Sequence, residues 1–169
     1  SCPSVFCGNC DFCLVGQTHL CQSPATRRSL SDPPKYTLNG APVTQFAGLS
    51  TYAEQMLVHE NALVKIRDDM PLDKAALIGC GVTTGVGAVI NTAKVEAGSS
   101  MAVIGIGGVG VNVIQGGVLS GAEKIIAIDV VDGKLDAARE FGATHTVNSR
   151  DVDPVETIMG LTDEVGVDY

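Results

Sequence analysis

The chain has 169 residues, of which 45% are hydrophobic and 18% are charged, and its formal net charge is −8. This composition excludes a disordered chain, and the negative charge has the wrong sign for electrostatic binding to nucleic acid. The apolar stretches are short and interrupted by glycine, so we expect no membrane-spanning segment. Five of the six cysteines lie among the first 21 residues, which makes this region the first candidate for a functional site.

Both ends of the chain fall inside sequence patterns. The first residues, Ser1, Cys2 and Pro3, lead directly into the cysteine cluster, and residues 167–169 are typical of the start of a strand. We therefore expect the chain to be a fragment that lacks the amino-terminal and carboxyl-terminal parts of a longer protein.

The first 70 residues show no pattern of a long helix. Residues 1–23 are a cysteine-rich loop, and residues 24–70 mix prolines with short runs at 52–58 and 62–66 that are typical of strands. From Pro71 onward, helical patterns alternate with apolar strands. This alternation predicts βαβ units and a parallel sheet, so the expected fold class is α/β.

Boundaries can be assigned in the second half. The pattern predicts a helix at 72–78 that ends at Gly79, and a second helix that begins within 80–84 and runs to about 93. The remaining predicted elements are strands at 101–105, 124–129 and 144–147, and a helix at 108–119.

Two further helices follow in the prediction. One is capped by Asp132 and closed by Gly142, and its buried stripe consists of Leu135, Ala138 and Phe141. The other opens at Asp153 with Pro154 in its first position, where proline costs no hydrogen bond.

Four cysteines near the start have the spacing C-x2-C-x2-C-x7-C: Cys7, Cys10, Cys13 and Cys21. Thiolates this close together can surround one ion, and four sulfurs suit a tetrahedral zinc with no open position, so the expected site is structural. A disulfide framework and an iron–sulfur cluster are alternatives for this pattern. A ligand set with Cys2 in place of Cys21 is a further alternative.

Residues 105–110 have the pattern G-x-G-x-x-G between a predicted strand and a predicted helix. Gly105 permits the tight turn, Gly107 lets the backbone approach a diphosphate, and Gly110 allows the helix to pack closely on the strand. Asp129 ends the next strand, where a carboxylate accepts hydrogen bonds from the adenosine ribose of NAD and repels the 2′-phosphate of NADP. The alternative is a turn of ordinary glycines with Asp129 as a helix cap.

Cys80 stands alone in the stretch 79–85, at the predicted start of the second helix. A helix N-terminus favours the thiolate form, which is the form that binds metal. The alternative is a small cysteine packed in a core, which is the more frequent situation for a lone cysteine.

The four cysteines, the stretch 79–85 and the turn 105–110 with Asp129 occur in one order and at characteristic separations. In these features the chain resembles the zinc-dependent, medium-chain alcohol dehydrogenase family over essentially its whole length. The resemblance implies that residues 1–78 belong to a β-rich, GroES-like catalytic domain with a structural-zinc lobe at 1–23. Residues 79–169 would then be the first half of a doubly wound, Rossmann NAD-binding domain.

The resemblance also implies roles for individual residues. Cys80 matches the last of three protein ligands of a catalytic zinc, Thr84 and Val109 match positions near the nicotinamide, and Lys134 matches a position that reaches the adenosine ribose. Gly108 belongs to the same nucleotide turn. The family's other catalytic zinc ligands and its proton relay lie upstream of this chain, and three histidines do not match them: His19, His59 and His145.

The implied function is an oxidoreductase that transfers hydride reversibly between an alcohol or aldehyde and NAD, with zinc as a Lewis acid; the fragment itself is expected to be inactive. The alternatives are a thiol-adduct (formaldehyde-type) or polyol dehydrogenase of the same family, a zinc-free reductase, and a non-enzymatic, zinc-stapled NAD-binding module. We expect a small-molecule alcohol or aldehyde as partner, no nucleic acid or membrane, a homo-oligomer in the intact protein, and a cytoplasmic location.

Overall fold

The structure is a computed structural model that describes residues 4–26, 29 and 31–169. The chain divides into two compact units, Ser1–Met70 and Pro71–Tyr169. The domain boundary expected between residues 78 and 79 lies eight residues after this division, inside a helical segment of the second unit.

The first unit is built from short elements. A helix α1 spans Asp11–Leu14, and two antiparallel strands, β1 (Tyr36–Leu38) and β2 (Ala41–Val43), form a hairpin. Asn39 and Gly40 both have positive φ, as a two-residue hairpin turn requires, and the sequence prediction missed this Asn-Gly signal. Four single 3₁₀ turns complete the unit among its described residues: Thr18–Leu20, Pro24–Thr26, Phe46–Gly48 and Glu60–Ala62.

The strands expected at 52–58 and 62–66 are absent from the described part of the first unit, so that prediction is wrong. A strand needs a neighbouring strand to satisfy its backbone groups, and the alternating side chains alone do not supply one. Leu57 shows the consequence: its amide donates to the Tyr36 hydroxyl and its carbonyl accepts from Lys35 Nζ at 2.7 Å.

The second unit alternates helices with parallel strands, which confirms the α/β fold class. Its elements are α2 (Leu72–Leu77), α3 (Thr83–Gly87), β3 (Ser100–Ile104), α4 (Gly108–Ser120), β4 (Lys124–Asp129), α5 (Asp132–Glu140), β5 (His145–Asn148) and α6 (Pro154–Leu161). The predicted bounds of the strands and of α4 are met to within one residue at each end.

The sheet has the order β3-β4-β5, with β4 in the middle. The last residues of the chain lie along the other edge of β3, where Ala102 N donates to Tyr169 O at 3.0 Å and Asp168 N donates to Ser100 O at 3.1 Å. These bonds have the pattern of a parallel neighbour, although residues 167–169 do not form a strand in the structure.

Residues Leu72–Ala93 form one helical segment, in which α2 and α3 are joined by a π-helical turn (Ile78–Val82) and followed by another (Ala88–Ala93). The prediction that Gly79 ends a helix is wrong, because Gly79 lies inside the first π-helical turn. The segment ends at Lys94, whose φ of 55° is left-handed.

The same segment is long and apolar enough, by length and composition, to cross a membrane, and among the described residues it is the one helix that passes this test. The premise that all apolar stretches are short is therefore wrong, because this segment continues through its glycines as one helix. One helix of this kind is weak evidence for a span, since core helices of folded domains have the same composition.

Both faces of the sheet are covered, as in doubly wound folds. Side chains of β4 alternate between two clusters of buried residues: Ile125 and Ala127 pack with Ile114 of α4 and Leu135 of α5. Ile126 and Ile128 pack on the opposite face with Val147, and α6 covers that cluster. This alternation explains why every residue of β4 after Lys124 is buried.

Two glycines inside α4, which the sequence did not explain, are close-packing positions. A Cβ at Gly116 would lie 2.9 Å from Val89 Cγ2, and a Cβ at Gly117 would lie 2.6 Å from Met101 Sδ. The helix therefore approaches the segment Leu72–Ala93 on one side and the sheet on the other at distances that no larger residue allows.

The end of α5 follows the prediction and its start does not. Gly142, with φ of 107°, follows the helix as expected, but the N-cap is Val131, and Asp132 is the first helical residue. Phe141 is 41% exposed, so its place in the buried stripe was wrong: it lies past the last helical turn, whereas Leu135 and Ala138 are buried.

Asp153 caps α6 as predicted and accepts hydrogen bonds from the amides of Val155 and Glu156.

Candidate zinc and nucleotide sites

The four cysteines of the amino-terminal lobe come together in the first unit. Their sulfur atoms all lie within 4.8 Å of one another, and three pairs lie at 3.5 to 3.9 Å. A tetrahedral zinc with Zn–S bonds of about 2.3 Å places its sulfurs about 3.8 Å apart. The donor set therefore fits a single zinc ion: Cys7, Cys10, Cys13 and Cys21.

Local backbone structure produces this arrangement. Cys10 precedes α1 and Cys13 lies within it, so the helical turn brings their sulfurs to 3.5 Å. The backbone amide of Cys7 donates to the sulfur of Cys21 at 3.4 Å, which joins the two ends of the lobe. Gly16, with φ of 81°, reverses the chain between them, where a residue with a Cβ would be strained.

Hydrogen bonds and burial set the protonation of these thiols. The Asn9 amide lowers the pKa of Cys7 to about 6, the Ser23 amide lowers that of Cys21, and burial raises the pKa of Cys13 to about 11. Amides that point at sulfur stabilise the thiolate, which is the form that binds metal. Two of the four ligands are therefore prepared for an ion by the lobe's own backbone.

The alternatives for the cluster differ in geometry. All described cysteines are free, and the shortest sulfur–sulfur contact is far longer than the ~2.05 Å of a disulfide bond. An iron–sulfur cluster is several atoms wide and holds its thiolates farther apart than one ion does. Cys21 takes part in the group, while Cys2 lies outside the described residues.

The glycine-rich turn joins β3 to α4 in the second unit. Gly105 has φ of 89° and donates its amide to Ile128 O at 2.8 Å, so the turn is fixed to the end of β4. A Cβ at Gly110 would lie 2.1 Å from Gly105 O, whereas Gly107 and Gly108 have open space on their Cβ side. The first amides of α4 have no intrahelical acceptor, and such amides bind phosphate groups.

Asp129 lies at the end of β4 beside this turn and is 7% exposed. Its Oδ2 accepts from the Ile106 amide at 2.7 Å and pairs with Lys134 Nζ at 3.4 Å, and its Oδ1 accepts from the Val130 and Val131 amides. The Ile106 amide is the main reason why the pKa of Asp129 is lowered, and burial opposes it. The predicted ribose-binding pair, Asp129 and Lys134, is thus in direct contact, and the carboxylate is held in place before any ligand arrives.

The lowered pKa of Asp129 makes the stability of the second unit depend on pH. Because the ionised form is favoured in the fold, its contribution is complete above the ordinary pKa of about 3.9 and is lost as pH falls through the lower folded-state value. Asp129→Asn is expected to lower the free energy of unfolding of the full-length protein by about 2 kcal/mol at neutral pH. Below about pH 4 this difference from the wild type should shrink.

Denaturation by urea at a series of pH values measures this difference. Asp136→Asn removes an equal charge from an exposed position of α5 and is the matched control, with an expected effect near zero. A difference between Asp129→Asn and the wild type that stays constant down to about pH 3 would contradict the assignment of the titration to Asp129.

Cys80 is exposed and lies in the π-helical turn of the segment Leu72–Ala93. The expected position at a helix N-terminus is wrong, because the helix begins eight residues earlier at Leu72. Cys80 is also not packed in a core. The next residue, Gly81, lies near the glycine-rich turn: a Cβ there would be 3.9 Å from Gly108 O.

The helices that carry Thr84 and Val109 lie against each other. A Cβ at Gly85, the neighbour of Thr84, would lie 2.6 Å from Val109 O and 2.5 Å from Asn112 Cβ. Both Thr84 and Val109 are exposed. The helix that carries Cys80 and the helix that begins at the glycine-rich turn therefore cross in close contact at this point.

None of the three histidines belongs to the cysteine quartet. His59 accepts a hydrogen bond from the Asn61 amide, and His145 lies beside Thr144 on β5. His19 and His59 both line a cavity of about 700 Å³ in the first unit. Among the described residues, the cysteine quartet is the one group of three or more potential metal ligands.

Comparison with known proteins identifies the family. The family described as "Zinc-binding dehydrogenase" matches residues 108–169. The chain is 43% identical, over 99% of its length, to an alcohol dehydrogenase class-3 from Oryza sativa subsp. japonica, and 42% identical to an S-(hydroxymethyl)glutathione dehydrogenase from Paracoccus denitrificans over 96%. The chain belongs to the zinc-dependent, medium-chain alcohol dehydrogenase family.

Solved structures agree with this assignment. An alcohol dehydrogenase zinc-binding domain protein from Burkholderia ambifaria superposes with a TM-score of 0.84 at 37% identity, covering 97% of this chain and 46% of that one. Benzyl alcohol dehydrogenase from Acinetobacter calcoaceticus gives a TM-score of 0.78 at 36% identity, covering 94% and 44%. Members of the family use Zn²⁺ and NAD.

The chain spans about half the length of the curated relatives it matches, 46% for both the Oryza sativa and the Paracoccus denitrificans proteins. Two features of its sites were missed from the sequence. The π-helical turn at Cys80 has no signal in side-chain periodicity, although such turns are frequent at functional sites. The close crossing at Gly85 has a signal, a small residue within an apolar helix, but one that several kinds of packing share.

Proposed function

We propose that the full-length protein is an NAD-dependent alcohol dehydrogenase that transfers hydride reversibly between an alcohol and NAD. The observation that carries the proposal is the closeness of the residue after Cys80 to the glycine-rich turn: a Cβ at Gly81 would lie 3.9 Å from Gly108 O. A candidate metal ligand and a candidate nucleotide site thus share one corner of one compact unit. This arrangement suits hydride transfer between an alcohol whose oxygen is held by a metal and a nucleotide cofactor.

When bound, zinc supplies a Lewis acid for the alcohol oxygen and NAD supplies the hydride acceptor. Cys80 would be one ligand of that zinc, and the open space at Gly107 and Gly108 lets a diphosphate approach the first amides of α4. Asp129 would accept hydrogen bonds from the adenosine ribose, and Lys134, half exposed and already beside Asp129, would reach the same hydroxyls. Thr84 and Val109 would line the nicotinamide position.

We propose the cysteine quartet as a second, structural zinc site. Four sulfurs leave no open position on a tetrahedral ion, so this zinc contributes folding energy and no reaction step. The relatives are named alcohol dehydrogenases and S-(hydroxymethyl)glutathione dehydrogenases, which supports a dehydrogenase over the non-enzymatic, zinc-stapled module.

Further proposals concern the whole protein. Residues 1–78 are assigned to the GroES-like catalytic domain and residues 79–169 to the NAD-binding domain, although the compact units divide at Met70 and Pro71. A small-molecule alcohol or aldehyde is the proposed partner, in a homo-oligomeric, cytoplasmic protein without nucleic-acid or membrane partners. The packing of the segment Leu72–Ala93 against α4 at Gly85 and Gly116 supports a role within a folded domain rather than in a membrane.

Metal content and turnover of the full-length protein test the function. We expect two zinc ions per chain and alcohol-dependent formation of NADH. Cys80→Ser should lose one zinc, and kcat should fall by about a thousandfold or more, the scale of losing a group that stabilises charge in the transition state. Thr83→Ser, which keeps the hydroxyl that donates to Ile78 O, is the matched control in the same helical segment and should retain both zinc ions and normal kcat.

Two results would reject the proposal. One is full turnover after every zinc has been removed by a chelator. The other is a Cys80→Ser protein that keeps two zinc ions and normal activity.

A further inference from the structure

A second carboxylate lies at the same edge of the sheet as Asp129. Asp132 is the exposed first residue of α5, three residues after Asp129. Lys134, in the first turn of α5, is paired with Asp129. The junction of β4 and α5, residues 129–134, therefore carries two carboxylates and one ammonium group, with an excess of negative charge.

Asn148 fixes the position of this second carboxylate. Asn148 Nδ2 donates to Asp132 Oδ1 at 2.7 Å, and Asn148 Oδ1 accepts from the Arg150 amide at 3.0 Å. Both ends of the asparagine side chain are thus engaged, so its amide has one orientation. The Asp132 carboxylate is therefore held by a hydrogen bond from the last residue of β5.

The same asparagine is the register partner of Asp129. Residues Asp129 and Asn148 end adjacent parallel strands, about 4.8 Å apart, and the Ser149 amide donates to Asp129 O at 3.1 Å. Asp132 is therefore tied to a residue that stands directly beside Asp129. The two carboxylates belong to one rigid patch, and a charge placed near Asp129 also experiences Asp132 at a distance over which exposed charges still interact.

We propose that Asp132, positioned by Asn148, is a second selectivity residue that disfavours cofactors with a 2′-phosphate on the adenosine ribose. This inference rests on the proposed function, because it requires that Asp129 binds the ribose. Asp129 is nearly buried and its oxygens accept hydrogen bonds from protein amides, so it acts on the ribose at short range. Asp132 is exposed and acts through charge alone, on a phosphate group that carries about two negative charges.

Calorimetric titration of the full-length protein with NAD⁺ and with NADP⁺ tests this inference without turnover. Asp132→Asn keeps the shape and can still accept from Asn148, so the fold should be retained. We expect its Kd for NADP⁺ to fall about three- to tenfold, with the Kd for NAD⁺ changed by less than about twofold. The gain should be largest at low ionic strength and should shrink as salt is raised, because exposed charges are screened.

Two further variants separate charge from structure. Asn148→Ala removes the hydrogen bond that positions Asp132. We expect the Kd for NADP⁺ to fall relative to the Kd for NAD⁺, by a smaller factor than in Asp132→Asn. Glu140→Gln removes an equal charge at the other end of α5, about 12 Å farther along the helix, and should leave the ratio unchanged.

The outcomes distinguish this inference from the function on which it rests. If the wild type binds NAD⁺ and Asp132→Asn leaves the ratio of dissociation constants unchanged at low salt, the role of Asp132 is overturned and the proposed function stands. An equal shift in Glu140→Gln would also overturn it, since net charge would then be the cause. A wild type that binds neither nucleotide overturns the proposed function and removes the basis of this inference.

Discussion

Replacing Cys21 with serine in the full-length protein is expected to remove one zinc ion per chain and to unfold residues 4–26, which contain the described part of the lobe. Cys21 is the buried member of the quartet, and its sulfur also accepts the amide of Cys7, so the change removes a metal ligand and the link between the two ends of the lobe. Metal binding by such sites contributes about 10 kcal/mol or more of folding energy. The lobe is short and its helix α1 has no buried residue, so no core replaces the lost ion.

Elemental analysis and hydrogen–deuterium exchange measure the two effects separately. The zinc count should fall from two to one, and amides within residues 4–26 should exchange at the rate of an unfolded peptide. Thr18→Ser alters the same lobe without removing a sulfur and should behave as the wild type. A Cys21→Ser protein with its full zinc content would show that the quartet is not the ligand set.

Gly110→Ala is expected to destabilise the fold, whereas Gly107→Ala is expected to leave the fold intact and to weaken NAD⁺ binding. A Cβ at Gly110 would lie 2.1 Å from Gly105 O, a backbone atom that cannot move without breaking the turn, so stability should fall by about 3 kcal/mol. A Cβ at Gly107 would meet open space, so the fold should be unchanged. That open space is where a diphosphate would approach, so Gly107→Ala should weaken NAD⁺ binding at least about tenfold.

Thermal unfolding and NAD⁺ titration of the full-length protein distinguish the two glycines. Gly160→Ala is the matched control, because its Cβ has open space within α6 and lies away from the turn. A Gly107→Ala protein with normal stability and normal NAD⁺ affinity would mean that the turn does not hold the diphosphate. A stable Gly110→Ala protein would contradict the close packing of α4 on β3.

Much of the second unit was predictable because local signals and tertiary packing agree there. The strand Lys124–Asp129 has matching bounds in sequence and structure, since its apolar run, its acidic end and its place in the sheet all favour one register. Asp153 and Pro154 likewise specify the start of α6 by a cap and a fixed φ, both of which act within a few residues. The cysteine quartet was recognisable for the same reason, because its spacing alone brings the sulfurs close.

The failures share a physical cause: each depends on a partner that the local sequence does not reveal. Gly79 ends no helix because the segment Leu72–Ala93 is stabilised by close contact with α4 at Gly85. The run at 52–58 is no strand in the described structure because side-chain alternation cannot supply a neighbour for the backbone. The hydrogen bond between Asn148 and Asp132 joins residues 16 positions apart, which no periodic pattern indicates.

The central position of β4 has a consequence for ligand capture. This strand is hydrogen-bonded on both edges and packed on both faces, so the backbone that carries Asp129 is held on all sides. A nucleotide that arrives at this edge would meet an acceptor that already has its bound geometry. The entropic penalty of association would then fall on the ligand and on the half-exposed Lys134 side chain, and little of it on the backbone.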